Sequence, residues 1–239
     1  MLGLGGILSK SNVISGFSPL DISDLDVWYD FSTVGDVYDD GVDVANWQNS
    51  GEGGSDHDLT AEGSKEPVAD TVGGMGDLHS CRFSGSRFNM GTEYMTTSKT
   101  YTLFCVYKCD DKDDTDTFFT GKTQLRNAFG LYSNVNAMTI AASADASGAN
   151  TLKGINCNNT SGSTVQYAFT TNIEVLLATV NDTTVKVYNQ EDDYIGTGTL
   201  NTNVTTDTNF EAKYIGSASN SGSPHETYIG ELGIYNKVR

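Results

Sequence analysis

From Leu25 the chain begins to alternate. In LDVWYDF the apolar Leu25, Val27, Tyr29 and Phe31 are separated by Asp26, Trp28 and Asp30, which gives an extended segment two unlike faces. Further strand-like segments follow at short intervals: CRFSGSRFNM, KTYTLFCVYK, DTFFTGK, NAFGLYSN, NAMTIAAS, STVQYAFT, IEVLLATVND, TTVKVYNQ, KYIGSAS and TYIGELGIYNK. Turn-forming residues separate them, and no stretch carries a convincing apolar stripe at helical spacing. The pattern predicts an all-β domain, a sandwich or a barrel. Its clearest hairpin joins IEVLLATV to TTVKVYNQ through the polar Asn181-Asp182 turn.

Other stretches lack that grammar. Residues 1–20, MLGLGGILSKSNVISGFSPL, have neither helical nor alternating period and read as an irregular arm ahead of a domain spanning 21–239. Such an arm either wraps its own domain or docks on a neighbouring subunit through Leu2, Leu4, Ile7 and Leu8. Between Asp39 and Ala69 the chain is rich in Gly, Asp, Asn and Ser, with only Val42, Val44, Trp47 and Leu59 available for burial, so a long decorated loop is expected. DASGANTLKGINCNNTSGST reads as surface turns around one short edge strand.

Composition narrows the function classes. The chain has 239 residues, a length that one all-β domain can occupy, and its 26 glycines favour short strands and tight turns. With 31 acidic against 14 basic residues the formal charge is -17, which repels phosphate backbones and anionic lipid and argues against a nucleic-acid partner. Solubility is the plain account of that charge; attraction of divalent cations is the other. The four cysteines, Cys81, Cys105, Cys109 and Cys157, show no C-x-x-C spacing, and no zinc-finger histidine pattern accompanies them. Cys105 and Cys109 lie on one face of one strand, too far apart to bridge, so free thiols and assembly in a reducing cytoplasm are expected. Met1–Leu8 is apolar but lacks the basic start and cleavage region of a signal peptide, and no run of about 18 apolar residues implies a membrane span.

Candidate chemistry is sparse. CDDKDDTDTF packs Asp110, Asp111, Asp113, Asp114 and Asp116 together, hard oxygen donors suited to Ca²⁺ or Mg²⁺, although the glycine and glutamate of an EF-hand loop are absent. A solvated hairpin tip is the competing account. No other cofactor is implied. For glycan binding, Trp47, Tyr132 and His225 lie near Asn- and Asp-rich loops and are candidate stacking or hydrogen-bonding groups, although packing is the favoured reading for Trp47. The histidines His57, His79 and His225 sit in loop-like contexts, and no G-x-S-x-G elbow occurs. Gly53-Gly54 and Gly73-Gly74 lack the strand, helix and Lys-Ser/Thr of a phosphate loop.

Three pieces carry a family resemblance: TYTLFCVYK, LLATVNDTTVKVYNQEDDYIGTGTL and the terminal KYIGSASNSGSPHETYIGELGIYNKVR. Residues 25–239 resemble the concanavalin A-like lectin and glucanase superfamily in its laminin G-like branch, which implies a two-sheet antiparallel jelly roll. Where many such domains carry W-H-H-V, this chain has Asn172, Ile173, Glu174 and Val175. Glucanases of that superfamily set two carboxylates on one strand face, and no strand here does so; Asp21, Asp24 and Asp26 come nearest. An enzyme is therefore not expected. MLGLGGIL, PLDISDLDVWYDFST and VANWQNSGEGGSDHDLTA resemble the front half of jelly-roll proteins of tailed bacteriophages, particularly those of marine cyanobacteria. That resemblance implies a non-enzymatic component of the virion exterior, a capsid decoration or fibre protein. Its partners would be a major capsid or tail protein, further copies of itself, and host glycan. The alternative is a lectin-like module that recognises host polysaccharide; a glycoside hydrolase is the third reading. The strand pattern generates a first prediction: circular dichroism will be β-dominated, and a helix content above about one fifth would contradict it.

Overall fold

The computed structural model describes residues 18–62, 66–96, 100–109, 129–132, 137–143, 152–156, 164–168, 172–181, 184–189, 194, 196–199, 210–216 and 227–237. Strand β1 (Leu25–Asp30) realises the first alternation, burying Leu25, Val27 and Tyr29 while the residues between stay half-buried. Phe31 follows in a single 3-10 turn whose first backbone donor is capped by Asp30, and α1 (Val34–Val37) is one further turn. Short β2 (Asn46–Trp47) and β3 (Leu59–Glu62) come next, then β4 (Val68–Met75), β5 (Leu78–Phe83), β6 (Arg87–Thr96) and β7 (Thr100–Cys109). The middle of the chain contributes β8 (Phe129–Tyr132), β9 (Ala137–Ser143), β10 (Leu152–Asn156) and β11 (Thr164–Ala168). The last five strands are β12 (Glu174–Asn181), β13 (Thr184–Asn189), β14 (Gly196–Thr199), β15 (Phe210–Gly216) and β16 (Thr227–Tyr235).

These strands form two antiparallel sheets. The first runs β14-β13-β12-β7-β16-β5-β4, with β1 also paired to β16, and the second runs β11-β10-β9-β8-β15-β6-β3-β2. The all-β sandwich expected from the alternation is what the chain forms, and the expected hairpin is β12–β13, in register from Leu176↔Asn189 to Asn181↔Thr184. Strand β16 holds the first sheet together. One edge pairs with β7 along its length, while the other pairs first with β5 (Thr227–Ile229) and then with β1 (Glu231–Tyr235). The register with β7 shifts between Ile229 and Glu231, so Gly230 is the extra residue of a bulge.

Between the sheets lies an aromatic centre. Phe31 stacks on Trp47 at 5.5 Å and on Phe88 at 6.2 Å, and Phe83 meets Phe88 edge-on at 5.7 Å. Leu103, Cys105, Leu176, Ala178, Val185, Val187, Ile229, Leu232 and Ile234 extend that core from the first sheet. Two smaller apolar clusters cover the opposite, outer face of the same sheet, one around Met75, Val106, Val175 and Tyr228 and one around Leu25, Phe104 and Tyr235. Cys81 and Cys105 are free and buried, and burial pushes both thiols up, so they pack as small apolar groups.

Two expectations change. The stretch from Asp39 to Ala69 is not one loop, since β2, β3 and the start of β4 lie inside it, and Val44, Trp47 and Leu59 are core residues while Val42 stays exposed. Strands of two and four residues are too short to show a period. Strand β10 is not an edge either, because β9 and β11 flank it on both sides. The core gives a graded prediction. Phe31→Ala, which removes the ring shared by Trp47 and Phe88, should cost about 3–5 kcal/mol in urea unfolding. Val72→Ala, at a side chain 75% exposed, should stay within about 0.5 kcal/mol of the parent.

Candidate functional site

The outer face of the first sheet carries the chemistry. Edge strand β4 keeps register with β5 from Val68↔Arg82 to Asp70↔Ser80, then loses it until Met75 meets Leu78. The intervening residues fold back over the sheet. Gly73 takes a φ of 105°, a left-handed conformation that favours glycine, and Gly74 lies so close to the Tyr228 ring that a Cβ there would sit 2.2 Å from it. Lys108 fastens the fold-back from the other side. Its Nζ donates to the Gly74 carbonyl at 2.5 Å and stands 5.4 Å from the centre of the Tyr228 ring.

A groove of about 360 Å³ results, lined by Asp40, Asp70, Val72, Gly73, Arg82, Lys108 and Tyr228 among others. Its polar groups are held by the backbone around them. Asp70 Oδ2 accepts from the Gly74 N–H at 3.0 Å and from Ser80 Oγ at 3.3 Å, and Asp40 Oδ1 accepts from the Thr71 N–H at 2.9 Å. Tyr228 is 5% exposed, so it forms a floor and not a platform. Two carboxylates, Asp40 and Asp70, and two cations, Arg82 and Lys108, line the same groove, a set that brings acceptors and donors within reach of one hydroxyl-rich ligand. Among the described residues that line it there is no Ser, Cys or His.

Further along β16, Glu231 stands directly opposite Asp30 of β1. Glu231 Oε1 accepts from the Trp28 indole N–H at 2.8 Å, and Asp30 accepts from the Ser32 N–H and hydroxyl. Burial pushes the Glu231 carboxyl up to about 7; the Trp28 hydrogen bond pulls it down, and the nearby Asp30 charge pushes it up again. A paired-carboxylate search along single strands misses this pair, since its members come from adjacent strands. The groove escapes a motif search for the same reason: Asp40 comes from the turn after α1, and Asp70, Arg82, Lys108 and Tyr228 from β4, β5, β7 and β16.

The residues singled out from sequence fare differently. Trp47 is 7% exposed and stacked in the core, so its indole packs and offers no open face to a sugar. Tyr132 ends β8, in register with Ala137 and Glu211, and its side chain lies outside what the structure describes. Leu2, Leu4, Ile7 and Leu8 of the arm, the aspartates Asp110, Asp111, Asp113, Asp114 and Asp116, and His225 lie outside the described residues. Among the described residues no group of three or more His, Cys, Asp or Glu is placed to hold a metal ion, and no helix is long and apolar enough to cross a membrane.

The Glu231 carboxyl has a testable consequence. Its folded pKa lies above the ordinary carboxylate value, so the folded state binds the proton more tightly than the unfolded chain does. Stability associated with this group is present below the ordinary carboxylate pKa and is lost as pH rises towards about 7. Glu231→Gln keeps an acceptor for Trp28 and removes the titration. The variant should therefore gain melting temperature relative to the parent at pH 8 but not at pH 4, and an equal difference at both would contradict the assignment.

No family model matches the chain, and no curated protein matches it. Solved structures do. Domain 4 of a GH43 extracellular arabinanase from Geobacillus stearothermophilus, in complex with arabinotriose, superposes with a TM-score of 0.57 at 16% identity, covering 90% of this chain and 93% of that one. A Trypanosoma rangeli sialidase gives 0.52 at 12% identity, covering 91% of this chain and 31% of that one. A botulinum neurotoxin type C structure, whose cell entry depends on two ganglioside molecules, gives 0.51 at 8% identity, with 86% and 50% covered. This chain thus spans half of the toxin structure and about a third of the sialidase. At such identities the likeness concerns fold alone: the chain shares a two-sheet β-sandwich with these structures.

Proposed function

We propose that this chain is a non-catalytic, lectin-like module and that its groove on the outer face of the first sheet binds saccharide. The observation that carries the reading is the groove itself, in which Asp40, Asp70, Arg82 and Lys108 surround a tyrosine floor under a glycine fold-back. Sugars present adjacent hydroxyls that donate and accept together, and a lining of two carboxylates and two cations can answer both. Asp40 and Asp70 are oriented by amide donors before any ligand arrives, which lowers the ordering cost of binding. The arabinanase domain, matched over nearly its whole length and holding arabinotriose, supports the same class of ligand.

Catalysis is not part of the proposal. Asp30 and Glu231 face one another, but Asp30 caps the turn that follows β1 and Glu231 holds the Trp28 indole, so each already serves the fold. The virion exterior implied by the front half of the sequence rests on that resemblance alone; as a setting, it would make the module an adhesion domain directed at host polysaccharide.

The test is a glycan array followed by calorimetry on the ligands it returns. Asp40→Asn combined with Arg82→Gln should weaken binding at least about tenfold, a loss of roughly 1.4 kcal/mol, while the melting temperature stays near that of the parent. The bound glycan should be recovered uncut. Unchanged affinity in the double variant would refute the groove, and release of shortened sugar would refute the non-catalytic reading.

A further inference from the structure

At the far edge of the same sheet, strands β13 and β14 present an aromatic pair that takes no part in the groove. Val185 and Val187 are fully buried in the core, so Lys186 and Tyr188 between and beyond them point to the outer face. Tyr194, just ahead of β14, lies against Tyr188 with ring centroids 5.8 Å apart and planes at 64°, an edge-to-face contact. Its hydroxyl shares a hydrogen bond with Thr197 Oγ1, and Thr197 stands directly across the ladder from Lys186. Tyr194 nevertheless remains 52% exposed.

A lone exposed tyrosine is ordinary on a protein surface. This one is held at two points, at its ring by Tyr188 and at its hydroxyl by Thr197, so it is a fixed plate. Beside it the exposed Lys186 side chain makes no hydrogen bond or ion pair with a described residue. From this geometry we infer a second saccharide site, in which the C–H face of a neutral sugar ring packs on Tyr194 while Lys186 and Thr197 meet its hydroxyls. The electron-rich face of an aromatic ring attracts the weakly positive C–H hydrogens of a sugar, and a pre-oriented ring loses little freedom on binding.

Charge selects the neutral class of ligand. The chain carries a formal -17, and Glu191, Asp192 and Asp193 immediately precede Tyr194 in sequence, so a carboxylated sugar meets repulsion that one lysine does not offset. A protein partner is disfavoured by size, because two rings with a lysine and a threonine fall far short of the roughly 800 Å² per side that a stable interface buries. The site takes its ligand class from the proposed lectin-like function but shares no residue with the groove, so either can fail alone.

The experiment titrates arabinotriose, cellotriose and maltotriose, with 3′-sialyllactose as the acidic arm, into isotope-labelled full-length protein while the Tyr194 ring resonances are followed. At least one neutral trisaccharide should move those signals. Tyr194→Ala should weaken that ligand at least about fivefold, whereas Tyr194→Phe, which keeps the plate, should stay within about twofold. The Tyr194 response should persist in the Asp40→Asn/Arg82→Gln variant. The platform is overturned if no neutral trisaccharide moves the ring signals at about 10 mM, a concentration that reveals even very weak binding. It is equally overturned if only sialyllactose moves them, if Tyr194→Ala binds like the parent, or if Tyr194→Phe loses as much as Tyr194→Ala. Loss in the groove variant with none in Tyr194→Ala leaves the groove standing without the platform, and the opposite result leaves the platform standing without the groove.

Discussion

The bulge at Gly230 is the constraint on which the first sheet depends. A strand alternates its faces strictly, so an unbroken β16 with Ile229 inward would turn Leu232 and Ile234 towards solvent. One extra residue between Ile229 and Glu231 resets the alternation, and all three aliphatic side chains reach the core fully buried. The same residue marks where β16 exchanges β5 for β1 as its neighbour. Its reset also places Tyr228 and Glu231, on either side of the bulge, on the outer face together.

From that placement the outer face acquires its two kinds of surface. Before the bulge, Tyr228 serves as the floor over which Gly74 folds and Lys108 closes, leaving a polar groove beside the edge strand. After it, Glu231 sits between Trp28 and Asp30 with Phe104 and Tyr235 packed nearby. Glycine does the fitting in both halves: Gly74 admits the Tyr228 ring, and Gly233 admits Phe104, whose ring would come within 2.3 Å of any Cβ there. Close approach of backbone to ring lets an acidic chain cover an apolar sheet without long helices.

Much of the architecture was legible in the sequence because alternation is a local signal. Val27, Tyr29 and Phe31, and Val185 and Val187 of the β12–β13 hairpin, announce both their strands and their buried faces, whereas Leu25, beyond a register shift in β1, packs on the outer face. What stayed hidden was of two kinds. Strands as short as Asn46–Trp47 have no period to detect and exist only through pairing, here with Leu59 and Thr60 of β3 across an intervening loop. The site residues carry no motif because the fold assembles them: Trp28 and Glu231 are 203 positions apart, and Lys108 and Gly74 are 34 apart. Trp47 was legible as a packing residue, but its partner was not, since the ring it stacks on, Phe31, lies outside its own segment.

Strand β16 follows every other described strand in the chain, yet it pairs with β1, which precedes them all. Until it is synthesised, β1, β5 and β7 have no common neighbour, and the core they are to enclose stays open on one side. Folding of the first sheet must therefore wait for contacts of the greatest sequence separation, the kind that places all-β domains on the order of milliseconds to seconds. During that wait the nascent chain displays unpaired strand edges, the surfaces on which β proteins associate wrongly. A formal charge of -17 repels one such chain from another, opposing association while those edges are exposed.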